Sequence, residues 1–261
     1  MKMDLHGKTA LITGASSGLG AEFARQFAAL GCQLILVARR QDRLYELQAE
    51  ISARYGVTVE CVAMDLTDAD APQRLYDQLE KSGQTVDVLV NNAGLGLYGE
   101  FWTAPWEHLH QMLELDIVAL THLTHLFAAD MVRRNYGYIL LIGSTGSFQP
   151  TPTYAVYAAA KSYVLSLGEA LHYELRHTAV KCTVLCPGVT QTEFLEVAGQ
   201  QTTAYQRATM MEGEAVVRIG IKALLRGRAS VVSGWNNAFM SWCTRFMPRQ
   251  VLAAVSARLM R

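Results

Sequence analysis

Apolar positions in this chain fall into short continuous runs separated by longer stretches of helical spacing. Residues 9–13 (TALIT) form the first run, after which Phe23, Phe27 and Leu30 recur at the spacing of a helix face. Residues 33–38 (QLILVA) form a second run, followed by a charged helix carrying Leu44, Leu47 and Ile51. Further runs at 57–64, 86–90, 139–142, 180–186 and 229–233 complete a set of about seven strands. Strands that are apolar throughout, with no alternation, are buried on both faces. Separated by helices, they predict a parallel sheet covered on each side. Right-handed crossovers then give a doubly wound α/β arrangement. No linker, repeat or low-complexity tract interrupts the 261 residues, so residues 1–261 are expected to form a single domain.

Composition narrows the field. Hydrophobic residues make up 51% of the chain and charged residues 18%, enough apolar material for a large core. The formal net charge is zero, which argues against the basic surface that nucleic acid requires. Cys32, Cys61, Cys182, Cys186 and Cys243 are scattered; Cys182 and Cys186 lie four apart, but no other Cys pair sits at zinc-site spacing. Thiols in a reducing compartment are expected, with no metal site. The first eight residues lack a signal-like apolar run, and no stretch of about 18 uncharged apolar residues stands out for a spanning helix. The expected location is the cytoplasm.

Three local patterns carry chemistry. Residues 13–20 (TGASSGLG) join the first strand to the first helix. Gly14, Gly18 and Gly20 would let the backbone approach a pyrophosphate, with the helix N-terminus facing that anion. Alone, the same residues also suit an ordinary tight turn. The second strand ends at Arg39-Arg40, where a cofactor without a 2′-phosphate usually meets a carboxylate. Two guanidinium forks suit that phosphate, although either could be a solvated helix-start residue. Finally, Tyr157 and Lys161 lie one helical turn apart in the helical stretch 154–171. An ammonium beside a phenol stabilises the phenolate and lowers its pKa, making it an acid–base group. Ser144, just past the strand at 139–142, could hydrogen-bond the same substrate oxygen. An isolated Tyr-x-x-x-Lys is usually surface decoration; its coincidence with the glycine turn and Ser144 changes that judgement.

With these marks in family order, the sequence resembles the short-chain dehydrogenase/reductase family, of the type that prefers NADP(H) over NAD(H). TGASSGLG is joined by Asp65-Leu66, Asn91-Asn92-Ala93-Gly94, Ser144, YAAAK at 157–161, and Pro187-Gly188 with Thr190 and Thr192. The likeness covers roughly residues 5–195 and implies a Rossmann-like fold. It implies that Gly14, Ser16, Ser17, Gly18, Leu19 and Gly20 form the pyrophosphate turn. Asp65 would meet the adenine amino group, with Leu66 beside the ring. Asn91 would brace the strands, while Asn92, Ala93 and Gly94 line the cofactor. Pro187, Gly188, Thr190 and Thr192 would border the nicotinamide, and Lys161 would hold its ribose. Asp65 capping the next helix and a purely structural Asn91 remain alternatives. Asp116 aligns where the family carries a catalytic Asn. A role played by its main-chain carbonyl survives that change, but a carboxylate near Lys161 would compete for its charge.

The implied activity is NADPH-dependent interconversion of a carbonyl (ketone, aldehyde or keto-thioester) and an alcohol, on a homo-dimer or homo-tetramer. The segment 193–213, with Phe194, Leu195, Val197, Tyr205, Met210 and Met211, is expected to be a mobile flap over an apolar substrate. The tail 235–261 combines an aromatic segment with an amphipathic basic helix. It could pack on its own domain or on a partner subunit, roof the substrate site, or lie on a membrane surface. Two rival functions share the fold: a non-catalytic dinucleotide sensor, for which Asp116 speaks, and a membrane-peripheral scaffold using the tail.

Overall fold

A computed structural model describes residues 5–260, without the side chains of Ala204 and Tyr205. The first four residues, Arg261 and the Tyr205 side chain therefore lie outside the described residues. Seven strands form one sheet: β1 Thr9–Thr13, β2 Gln33–Ala38, β3 Val59–Ala63, β4 Val88–Asn91, β5 Gly137–Ile142, β6 Val180–Cys186 and β7 Ser230–Val232. Their spatial order is β3-β2-β1-β4-β5-β6-β7, and every pairing is parallel. The order reverses between β1 and β4. Each expected strand is present: β1, β2 and β6 have the expected bounds, and β3, β4, β5 and β7 differ from them by one or two residues.

Alternate residues of each strand feed two separate cores. Ile12, Leu34, Leu36, Val90 and Leu140 pack under α1 (Gly18–Ala29), α2 (Gln41–Tyr55) and α9 (Gly213–Leu225). Leu11, Ile35, Val37, Leu89 and Leu141 pack under α3 (Ala71–Lys81), α5 (Leu120–Arg134) and α6 (Ala155–Glu174). This two-sided burial is why the strands read as continuous apolar runs. Phe23 and Phe27 are fully buried on α1, their rings 6.3 Å apart. Truncating either would cost roughly 3–5 kcal/mol.

The helix preceding β5 is continuous from α4 (Trp106–Leu113) through a π-helical stretch, Glu114–Ala119, into α5. By length and composition Trp106–Arg134 is apolar enough to cross a bilayer, contrary to the expectation from sequence. Its apolar stripe, however, belongs to the core: Leu120, Leu123, Phe127 and Met131 are buried against the sheet. The chain closes with two short helices in the flap, α7 (Phe194–Val197) and α8 (Ala204–Thr209), and two in the tail, α10 (Trp235–Cys243) and α11 (Arg249–Leu259).

Candidate active site

The carboxyl ends of the strands open into one cleft of about 640 Å³. It sits at the β1–β4 reversal, where open α/β sheets bind ligands. The turn after β1 enters it with Gly14 at φ +66° and Gly18 at φ +53°, a left-handed backbone that favours glycine. A Cβ on Gly20 would overlap the Gly14 carbonyl and lie 2.7 Å from Asn92 Nδ2. Gly20 therefore supports the turn from beneath, while Gly14, Ser16, Ser17, Gly18 and Leu19 line the cleft. The turn is strapped to the end of β4. Thr13 Oγ1 accepts from the Asn92 and Ala93 amides at 3.0 and 2.9 Å, and Asn92 Nδ2 donates to the Thr13 carbonyl at 2.9 Å.

Arg40 reaches back over this turn, its guanidinium donating to Ser16 Oγ at 3.3 Å and Ser17 Oγ at 2.7 Å. The same group meets Glu193 of the flap at 3.2 Å, and Arg43 meets the other Glu193 oxygen at 2.7 Å. These two flap contacts were missed from sequence. Arg40 and Arg43 are a visible i,i+3 pair, but their partner lies about 150 residues away. Arg39 lies 3.5 Å from Asp65 Oδ2. The other Asp65 oxygen accepts from the amide and hydroxyl of Thr67 at 3.0 and 2.9 Å, a local turn rather than a cap on α3. Those Thr67 bonds and the Arg39 charge hold the Asp65 carboxyl below the usual range, against the opposing effect of burial. Leu66 is buried beside it.

The reactive corner gathers on α6 and the loop after β5. Ser144 Oγ accepts from the Gly146 amide at 3.0 Å, and Ser144 and Tyr157 both line the cleft. The Lys161 ammonium sits 5.7 Å from the Tyr157 ring centroid. Behind it, Asp116 is completely buried: Oδ1 accepts from the Leu95 amide at 2.7 Å and Oδ2 lies 3.1 Å from Lys161 Nζ. Asp116 does not line the cleft. It lies in the π-helical stretch, where one residue per turn is extra and the helix face is locally re-aimed. Asn91 binds the next turn of that helix, donating to the Leu120 carbonyl at 3.2 Å and Thr124 Oγ1 at 2.9 Å.

These charges act on one another. The expected lowering of the Tyr157 pKa by Lys161 is present but is not the net result. Burial pushes the phenol up, the Lys161 charge and the neighbouring Ser144 hydroxyl pull it down, and Asp116 pushes it up again. Burial alone would lower Lys161, but the adjoining Asp116 carboxylate carries it above its ordinary value. Cys186, buried beneath Ser144, has its thiol pushed up to about 12 by desolvation. It is inert at neutral pH.

Pro187, Gly188, Thr190 and Thr192 follow β6 along the cleft wall. Thr190 Oγ1 bonds the Gly188 carbonyl, and Thr192 Oγ1 accepts from the Phe194 amide, starting α7. The flap is a loop with tied roots: the amides of Gln191 and Met211 bond the carbonyls of Met211 and Val189. Phe194 brings its ring centroid 5.3 Å from that of Tyr157. The tail forms the remaining wall through Met247, Leu252, Val255 and Leu259. It is knotted to the flap by Gln200, whose amide donates to the Met260 carbonyl and whose oxygen accepts from Tyr154 and Gln206. Of the roles left open for the tail, the roof of the cleft is the one its contacts display.

The family profile described as short chain dehydrogenase matches residues 8–203. An uncharacterized oxidoreductase of Myxococcus xanthus is 30% identical over 252 residues, covering 97% of each chain. Sulfoacetaldehyde reductase 2 of Chromohalobacter salexigens is 35% identical over 219 residues, 80% of this chain and 85% of its own. Among solved structures, a short-chain dehydrogenase from Sphingobium yanoikuyae in complex with NADPH superposes with a TM-score of 0.83 at 32% identity, covering 94% of each chain. The seven-stranded parallel sheet agrees with the solved relatives, and this chain belongs to the short-chain dehydrogenase family of nicotinamide-dependent oxidoreductases.

Proposed function

We propose that the protein reduces an apolar ketone, aldehyde or keto-thioester to the alcohol with NADPH, and catalyses the reverse when product accumulates. The observation that carries this is the convergence of Ser144, Tyr157 and Lys161 on the cleft that also holds the glycine turn. The residues present fit the cofactor: two left-handed glycines, a third with no room for a side chain, and a basic corner at Arg39 and Arg40. Gly14, Gly18 and the α1 N-terminus would hold the pyrophosphate. Ser16, Ser17, Arg39 and Arg40 would hold the 2′-phosphate, giving the preference over NADH. Lys161 would hold the ribose hydroxyls.

When bound, the reduced nicotinamide supplies the hydride. The protein supplies the proton and the field. Tyr157 gives its hydroxyl proton to the substrate oxygen as negative charge develops there. Ser144 donates a hydrogen bond to the same oxygen, strongest when that charge is largest. Lys161 stabilises the phenolate left behind, and Asp116 holds Lys161 in place while reducing its effect on Tyr157. The substrate end is apolar: among the described lining residues the cations are Arg39, Arg40 and Lys161, all at the cofactor end. That favours an apolar carbonyl over a small sulfonate such as the one named for the Chromohalobacter relative. A homo-dimer or homo-tetramer is the expected assembly. Val118 on the π-helical stretch and Tyr163 and Tyr173 on α6 are exposed apolar positions suited to a subunit contact.

The test is NADPH oxidation against carbonyls of increasing chain length, repeated with NADH. Turnover that rises with chain length and falls with NADH is expected. No turnover of any carbonyl would leave the sensor reading in its place.

A further inference from the structure

After Glu214 the sequence runs to its end without a carboxylate side chain, while Arg218, Lys222, Arg226, Arg228, Arg245, Arg249, Arg258 and Arg261 follow. In a chain of zero formal net charge, this makes the last part of the molecule one-signed. The most exposed aromatics of that part lie on α10 and the 3₁₀ turn after it, Thr244–Phe246. Trp235 is 78% exposed, Phe239 59%, Trp242 52% and Phe246 70%. Three of them are contiguous: Trp242 lies 6.2 Å from Phe239 and 4.8 Å from Phe246, centroid to centroid. Arg245 and Arg249 are exposed beside them, and among the described residues neither has a carboxylate partner.

An exposed ladder of rings rimmed by unpaired arginines needs an occupant. A second copy is a poor one. A two-fold contact sets a patch against itself, so Arg245 and Arg249 would meet arginines with no carboxylate between them. An anionic lipid surface supplies headgroup phosphates for the arginines and an acyl boundary for the rings at the same depth. The helices are of 9 and 11 residues, too short to span a bilayer but suited to lie along one. The patch also runs into the cleft. Phe239, Met247 and Val255 are exposed on the outside and line the cavity on the inside.

We propose that the face formed by α10, the Thr244–Phe246 turn and α11 docks on an anionic lipid surface. Apolar carbonyl substrates then enter the cleft from that surface, a clause that rests on the function proposed above. Docking is tested by flotation of the full chain with phosphatidylcholine vesicles and with vesicles that also contain phosphatidylglycerol. The wild type should float with the anionic vesicles at low salt, be released by high salt, and stay behind with neutral ones. R245E/R249E and W242S/F246S should each lower partitioning by at least about tenfold, with NADPH affinity and melting temperature unchanged. No flotation at low salt, or equal flotation of R245E/R249E, overturns docking. So does a W242S/F246S protein that becomes a smaller oligomer by light scattering while its flotation is unaltered, since the patch would then be a contact between copies.

The entry route is tested separately, by turnover of a long-chain ketone carried in the anionic vesicles beside a short soluble ketone. R245E/R249E should lose the first activity and keep the second; keeping both or losing both overturns it. Wild-type protein that turns over neither ketone refutes the proposed function and the entry clause with it, while flotation still decides docking.

Discussion

The glycine turn and the tail both wall one cleft and are held in different ways. The turn is fastened by a buried network in which Thr13 and Asn92 satisfy one another's backbone, with no space for an added methyl at Gly20. The tail buries little that is apolar. Of the four buried among its described residues, Asn237, Ser241, Leu252 and Ser256, three are polar. Its links to the flap include a pair of carbonyls, at Leu259 and Met260, that accept from Thr203 and Gln200, and the long sulfur contacts Gln206–Met260 and Asn237–Met211. Chemistry common to all substrates needs fixed geometry and sits on the fastened wall. Choice among substrates tolerates, and uses, a wall that can repack.

That contrast can be broken most sharply at Tyr157. Tyr157→Phe keeps the ring against Phe194 and should lower turnover by roughly 10²–10⁴ with NADPH affinity and fold unchanged. Single-turnover kinetics on any accepted carbonyl decide it; activity within a few-fold of wild type means that the proton comes from elsewhere. Next is Lys161→Ala, which strips Asp116 of its buried counter-charge and should cost about 3–5 kcal/mol in chemical denaturation. Adding Asp116→Asn should recover much of that stability and none of the turnover; a simple sum of the two single effects would contradict the pair. Asp116→Asn alone removes a charge that raises the Tyr157 pKa. The Tyr157 limb of the pH–rate profile should therefore move to lower pH. Oxidation, which needs the phenolate, gains activity at lower pH, and reduction loses its phenol at lower pH.

Arg40→Ala should weaken NADPH by roughly ten- to a hundredfold, the loss of one charge-assisted contact, and leave NADH nearly unchanged, as read by fluorescence titration. Equal losses for both cofactors would place Arg40 outside phosphate selection. On the other wall the effects should be smaller. Met247→Ala should raise KM for a long apolar carbonyl about tenfold, leaving NADPH affinity alone. A change in NADPH affinity instead would mean that the two walls are not separable.

The sequence spoke most clearly where local chemistry has a single use. Unbroken apolar runs, Ala10–Ile12 in β1 and Leu34–Ala38 in β2, cannot be satisfied on a half-exposed sheet, so the parallel fold was legible from these strands. Tyr157, Lys161 and Ser144 were legible because one helical turn and one strand end determine where they point. The π-helical stretch left no such signal. Leu113 to Leu120 keeps a helical pattern, and the extra residue that turns Asp116 inward depends on packing against β4 and α6. Trp235–Cys243 has the aromatic content of a loop or an interface and is a helix that begins directly after Gly234, which turns the chain at φ +83° after β7. The Glu193 contacts join residues that no local pattern relates.

Those contacts give Glu193 a further consequence. One guanidinium, that of Arg40, faces both a carboxylate of the flap and the position proposed for the cofactor's 2′-phosphate. Two anions competing for one cation exchange places, so arrival of the phosphate would hand Glu193 over to Arg43 alone and slacken the flap at its root. The loop over the substrate would thus sense which dinucleotide is bound, through a difference of one phosphate. The pair is exposed, and the effect should be modest. Glu193→Gln should tighten NADPH a few-fold, leave NADH unchanged and make flap proteolysis equally fast with either cofactor; a flap cut at different rates in that variant would show that the signal travels by another route.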